Sequence, residues 1–133
     1  MTKHEIDEFE AIQGQIESLH QELTTLTKKS PSDLLNKFKL TLINGILIRA
    51  NAVLGKNNLP FKDFAQFEED QLPSNSDTLM VVGQYRSALE KLRGDNIVED
   101  YTAWYWLTTD VGGQSKSKSS LRTAPPSKIA LKK

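Results

Sequence analysis

The residues best able to do chemistry in this chain lie near its C-terminal end. Trp104, Tyr105 and Trp106 precede Lys116, Lys118 and Arg122, with Lys128, Lys132 and Lys133 beyond. Cationic side chains pair with phosphates, and exposed aromatic rings stack on bases. A basic hairpin carrying aromatics is therefore a candidate contact for DNA or RNA. Lys116, Lys118, Arg122, Lys128, Trp104 and Trp106 are its expected residues. The structural alternative is that both tryptophans face the core and that the Ser/Lys run is an ordinary polar loop.

Little else in the sequence supports catalysis. There is no cysteine, which removes thiolate nucleophiles, cysteine metal sites and disulfides. The two histidines, His4 and His20, fall sixteen residues apart on one expected helix and cannot converge within a chain. Gly112-Gly113 is followed by neither a helix nor a phosphate-loop lysine, and no strand–turn–helix elbow presents a serine. Glu68, Glu69 and Asp70 are consecutive, so they do not converge on one cation. The sequence predicts a non-enzyme without a metal or other cofactor.

Charge is balanced overall, 17 basic against 17 acidic side chains, but it is unevenly placed. Residues 61–110 hold four basic and ten acidic side chains, whereas 111–133 hold six basic and none acidic. Such polarity suits contacts with charged partners at two different places. The acidic start MTKHEIDEFE does not resemble a secretory signal, and no run approaches the ~20 apolar residues of a membrane span. A cytoplasmic protein without membrane contact is expected.

The elements that must position these residues are mostly helical. Over 3–29, Phe9, Ile12, Ile16, Leu19, Leu23 and Leu26 follow an unbroken 3-4 spacing, the mark of a heptad seam. Those six are the candidate oligomerisation residues. The short linker at 28–32 favours packing in cis as a helical hairpin, and pairing between chains is the alternative. A central helix is expected over 31–54, with Ser30 as N-cap, Pro31 in the first turn, Asp33 completing a capping pattern and Gly55 at the stop. It holds thirteen apolar residues spread over an arc of roughly 240°, too wide for one partner helix to cover. Lys37, Thr41, Asn44 and Asn51 form its polar strip.

A connector bounded by Pro60 and Pro73 follows. Phe61, Phe64 and Phe67 recur every third residue there, which predicts a short helical turn plugging the end of the bundle. The third helix is expected over 78–93, with Val81, Tyr85, Ala88 and Leu92 inward and Arg86, Glu90, Lys91 and Arg93 outward. From residue 95 the β-formers concentrate, and a strand through 101–109 is preferred to a helix. Leu121 to Ala124 would return as its partner after a loop that includes SKSKSS.

The expected fold is mainly α, a helical hairpin plus third helix in a bundle, with a small C-terminal β-hairpin and basic tail. Its expected division is a helical unit over 1–94, a hairpin over 95–126 and a loose tail over 127–133. The expected function is that of an oligomerising accessory or regulatory protein. Its helices would contact itself or a larger protein partner, and its basic hairpin would contact DNA or RNA. A pure protein–protein adaptor or assembly subunit is the alternative.

Overall fold

The computed structural model describes residues 1–109 and 115–131, with the backbone alone for Leu131. The expected loop over 111–114 and the terminal Lys132 and Lys133 lie outside the described residues. The chain is mainly α with a C-terminal antiparallel sheet. Its long helices are α1 (Lys3–Lys29), α2 (Lys37–Leu54) and α3 (Asn75–Gly94), and a short α4 spans Lys128–Leu131. The sheet is β1 (Ile97–Asp100), β2 (Ala103–Thr109) and β3 (Lys116–Thr123), in that spatial order.

Helix α1 is the element the others pack on. Its seam is spent within the chain: Phe9 and Ile16 are fully buried, and Ile12 and Leu23 nearly so. Leu19 and Leu26 are half-buried. Phe9, Ile12, Ile16 and Leu23 share one core with Leu40, Ile43 and Leu47 of α2 and Val82, Tyr85 and Leu89 of α3, and Leu19 packs against it. An oligomerisation role for Phe9, Ile12, Ile16 and Leu23 is thereby corrected, because a side chain already enclosed in its own core has no surface left to offer. Burying one such side chain contributes about 1.5–3 kcal/mol.

The expected start of the central helix is also corrected. Ser30 ends α1, its N–H bonding the Leu26 carbonyl, and α2 begins at Lys37 behind an Asn36 cap whose Oδ1 accepts from the Lys39 N–H at 2.8 Å. The intervening residues serve α3 instead. The Asp33 and Pro31 carbonyls accept from the N–H groups of Asn75 and Ser76 at 2.8 and 3.0 Å, and Leu35 N–H bonds the Pro73 carbonyl. A helix start leaves its first N–H groups without intrahelical acceptors. Here a distant stretch of chain supplies them, and α3 consequently starts at Asn75, earlier than the expected Thr78. Ser74 caps it, accepting from Asp77 N–H.

The connector is not helical around its phenylalanines; the short 3₁₀ turn lies earlier, at Lys56–Asn58. The polar strip of α2 explains how the connector is held. Buried Asn44 donates to the Phe67 carbonyl and accepts from the Phe67 N–H, both at 2.9 Å. Asn51 donates to the Ala65 carbonyl and accepts from the Tyr85 hydroxyl at 2.6 Å. Phe61, Phe64 and Phe67 then run edge-to-face along the strip, with ring centroids 5.7 and 5.1 Å apart.

The sheet contributes to the same core. Trp106 is 1% exposed and meets the Phe9 ring edge-on at 5.3 Å, while its cross-strand partner Ile97 is also buried. β1 and β2 join through a two-residue turn, Tyr101-Thr102, with Tyr101 at φ 59°. SKSKSS is no loop tip: from Lys116 it is strand β3. Two steps along β2, from Tyr105 to Leu107, span four along β3, from Arg122 to Lys118. Ser119 organises this bulge, donating to the Trp106 carbonyl at 2.8 Å and accepting from Leu121 N–H at 3.1 Å.

Candidate functional site

Two surfaces and one buried cluster hold the chemistry of this chain. The first surface is the outward face of the sheet. Side chains alternate across a strand, so Trp104 and Trp106 share one side of β2 and Tyr105 and Leu107 the other. Trp106 lies on Phe9, which turns its side inward and takes Trp104, itself packed against the core, with it. Trp106 is enclosed and cannot stack on an exposed base, so its expected ligand-contacting role is corrected. The aromatic residue beside the cations is Tyr105. Arg122 and Lys118 lie across from Tyr105 and Leu107 on the outward side, whereas Lys116, across from Thr109, turns to the buried Asn96 and lines a cavity with Met1, Glu5 and Glu8.

These cations are not equally available. Lys118 crosses β2 to reach Asp100 at 3.0 Å, with its Nζ 4.6 Å from the Tyr105 ring centre. Lys116 donates to Asn96 Oδ1 at 3.0 Å. Arg122 and Lys128 are exposed and make no ion pair among the described residues. The Asp100 carboxylate reduces the positive potential of this face.

The buried cluster joins α3 to the chain after β3. Glu90 and Arg93, expected outward, are 8% and 6% exposed. Arg93 donates to both Glu90 oxygens and to Thr123 Oγ1, the Ala124 carbonyl and the Pro125 carbonyl. Glu90 accepts in addition from Gln13 Nε2 and Ser127 N–H. Burial by itself would raise the Glu90 carboxyl; the Arg93 and Ser127 hydrogen bonds and the Arg93 charge outweigh it and hold the pKa down at about 2. Each carboxylate oxygen has two donors, so this group is a fastener and not a poised base. Arg86 and Glu17 pair nearby at 2.7 Å.

The fastened segment leads into α4. That corrects the loose tail expected here, since Ala130 sits against Gly94 so closely that a Cβ on Gly94 would lie 2.8 Å from the Ala130 Cβ.

The second surface was not singled out from sequence. On α2 and the turn before it, Leu34, Phe38, Leu42 and Ile48 are 64, 73, 55 and 52% exposed. Beside them a groove of about 370 Å³ runs between α1 and α2, with Leu19 and Leu26 on one wall and Leu42 and Ile46 on the other. The signal was present in the 240° apolar arc: α1, α3 and the connector cover one part of it, and the remainder faces outward.

Among the described residues no cluster of three or more His, Asp or Glu is placed to hold a metal ion. Among them, too, no helix is long and apolar enough to cross a membrane. Searches against protein-family models, curated proteins and solved structures return no match to this chain.

Proposed function

We propose that this chain is a non-enzymatic interaction protein, an adaptor or assembly subunit whose working surface is the exposed apolar face of α2. The observation that carries this reading is the set Leu34, Phe38, Leu42 and Ile48, each more than half exposed. Large apolar side chains clustered on one face are costly to leave in water, and such patches mark sites of association. The balance of buried polar groups supports the same reading, because Glu90, Arg93, Asn44 and Asn75 are all consumed in holding segments together. A cytoplasmic location, suited to a chain without cysteine, is part of the proposal.

The test is a photo-reactive residue placed singly at Phe38, Leu42 or, as control, the exposed Glu10 of α1. Protein adducts from the two α2 positions and none from Glu10 are expected. Failure of both α2 positions to form an adduct with any protein would overturn the reading.

A second reading, contact with nucleic acid, is favoured by the placement of Lys118 and Arg122 beside Tyr105 on the outward side of the sheet. It predicts binding of a short single-stranded DNA or RNA that weakens steeply with salt. Replacing the exposed Arg122 and Lys128 by alanine would abolish it. Absence of binding at low salt would sink this reading.

A further inference from the structure

We propose that the exposed face of α2 receives one amphipathic helix of an acidic partner protein. Its apolar stripe would cover Phe38, Leu42 and Ile48, and its carboxylates would meet Lys37, Lys39 and Arg49. This extends the docking role proposed for that face, on which it rests, by naming the chemistry of the occupant.

Charge selects the occupant. Acidic and basic side chains balance over the whole chain, yet α2 carries Lys37, Lys39 and Arg49 and no acidic residue. All three are exposed, and among the described residues none of them enters an ion pair. At about 100° per residue, Phe38, Leu42 and Arg49 fall within about 40° of one another, with Lys37 on one flank and Lys39 on the other. The apolar centre of the face is thus bordered by cations. A second copy would present the same cations and repel. A partner with carboxylates beside its apolar stripe neutralises them.

A helix suits this face better than an extended strand. The backbone groups of α2 are spent within its own helix, so the face offers no row of donors and acceptors for a strand to pair with. A helical partner brings its own main-chain hydrogen bonds and needs only side-chain contact, the mode in which an amphipathic helix lies in an apolar groove. Such a groove adjoins the face, about 370 Å³ between α1 and α2, with Leu19 and Leu26 opposite Leu42 and Ile46. From Phe38 to Ile48 the face runs about 15 Å, or about three turns of a partner helix. Gly45 lies in the middle of this run, exposed, and a Cβ built on it would meet nothing within 4 Å. No packing within the chain requires a glycine there, although alanine would favour the helix. Its missing side chain lets a second helix approach closely.

The groove also distinguishes a protein helix from a lipid surface. Its α1 wall carries Gln15, Ser18 and the exposed Glu22. An anionic bilayer would have to take in that carboxylate beside its own headgroups, whereas a partner helix can set an uncharged or basic residue opposite it. The occupant is therefore acidic along its α2 side and not along its α1 side.

The probe is a fluorescent synthetic helix about 18 residues long, with a leucine stripe, glutamates along one flank and glutamines along the other. Anisotropy with the full chain should show saturable binding in the micromolar range, weakening severalfold as salt rises from about 0.05 to 0.5 M. A probe with its leucines scattered, and one with lysine for every glutamate, should each bind at least about tenfold more weakly. Leu42→Glu should abolish binding with the helical circular dichroism intact. The decisive variant combines Lys37→Glu, Lys39→Glu and Arg49→Glu: it should bind the lysine probe and reject the glutamate probe. Unfolding cannot produce such a gain.

No binding of the glutamate probe at low salt, equal binding of the glutamate and lysine probes, or an unchanged preference in the charge-reversed chain would each overturn the proposal. So would co-sedimentation of the chain with phosphatidylcholine–phosphatidylglycerol vesicles and no binding of the probe, which would give the face to a lipid surface. Photo-adducts from Phe38 and Leu42 that persist in the charge-reversed chain would overturn the acidic partner and leave the docking function standing. Loss of those adducts from the native chain, together with no probe binding, would remove both.

Discussion

Arg93 grips Glu90 through two parallel hydrogen bonds of 2.7 Å, Nε to Oε1 and Nη2 to Oε2, although both residues belong to a helix side that sequence periodicity turns to solvent. The remaining guanidinium donors reach three acceptors at residues 123–125. Removing one member strands the other as a buried charge, which costs about 3–5 kcal/mol. Arg93→Met should therefore lower the urea midpoint strongly. Joint replacement of Glu90 and Arg93 by methionine should be much milder, and equal losses in the single and double variants would contradict the assignment.

The same pair predicts acid sensitivity with a defined sign. Glu90 has its pKa depressed from an ordinary 4.5 to about 2. A carboxyl held lower in the folded state stabilises fully above its unfolded pKa and loses that contribution as pH falls through the folded value. The stability difference between the native chain and Glu90→Gln should be constant above about pH 5.5 and shrink between about 4.5 and 2. Urea titrations across that range read it directly. A difference that grows on acidification would show the sign to be wrong.

Tyr101 occupies a left-handed backbone conformation, φ 59°, at the tip of the β1–β2 turn, and its side chain is 94% exposed. Such a conformation costs an L-residue about 1–2 kcal/mol and costs glycine nothing comparable. With no packed side chain to lose, Tyr101→Gly should stabilise the fold by about 1 kcal/mol, raising the thermal midpoint by several degrees. A lowered midpoint would mean that the ring has a partner.

Gly94→Ala should detach α4, since the new methyl would lie 2.8 Å from the Ala130 Cβ. The four-residue helix is the more easily displaced party, so the effect should be local. Faster amide exchange over 127–131, with α3 unchanged, is the expected signature. Adding Ala130→Gly should restore protection.

The sequence revealed the elements that depend on near neighbours. The α1 seam was legible as a 3-4 repeat, and β2 as a strand with Trp104 and Trp106 on one face. Which way those faces turn was not legible, because it depends on Phe9, almost a hundred residues earlier. Trp104 and Trp106, which looked like one site with the cations, thus fall on the other side of the sheet from Lys118 and Arg122. The Ser30–Pro31 signal failed for a related reason: its local logic was sound, but the carbonyls of Pro31 and Asp33 serve the first turn of α3. Glu90 and Arg93 looked solvent-facing because Thr123, Pro125 and Ser127 complete their coordination from about 30 or more residues away. Half of the α2 surface was legible in another sense. The apolar arc announced more greasy surface than one partner helix could cover, and Phe38 and Leu42 remain exposed even with two helices packed on it.

The bulged β3 strand has a consequence for solubility. It forms one rim of a three-stranded sheet, and an unpaired rim is a template on which further strands can add. Arg122 places positive charge beside that rim, while Lys118 is drawn across β2 to Asp100 and Lys116 to Asn96, and the irregularity around Ser119 breaks the flat repeat an incoming strand would need. Arg122 and the bulge at Ser119 thus guard the free rim together, and a variant that loses the charge and regularises the strand is expected to aggregate more readily than the native chain.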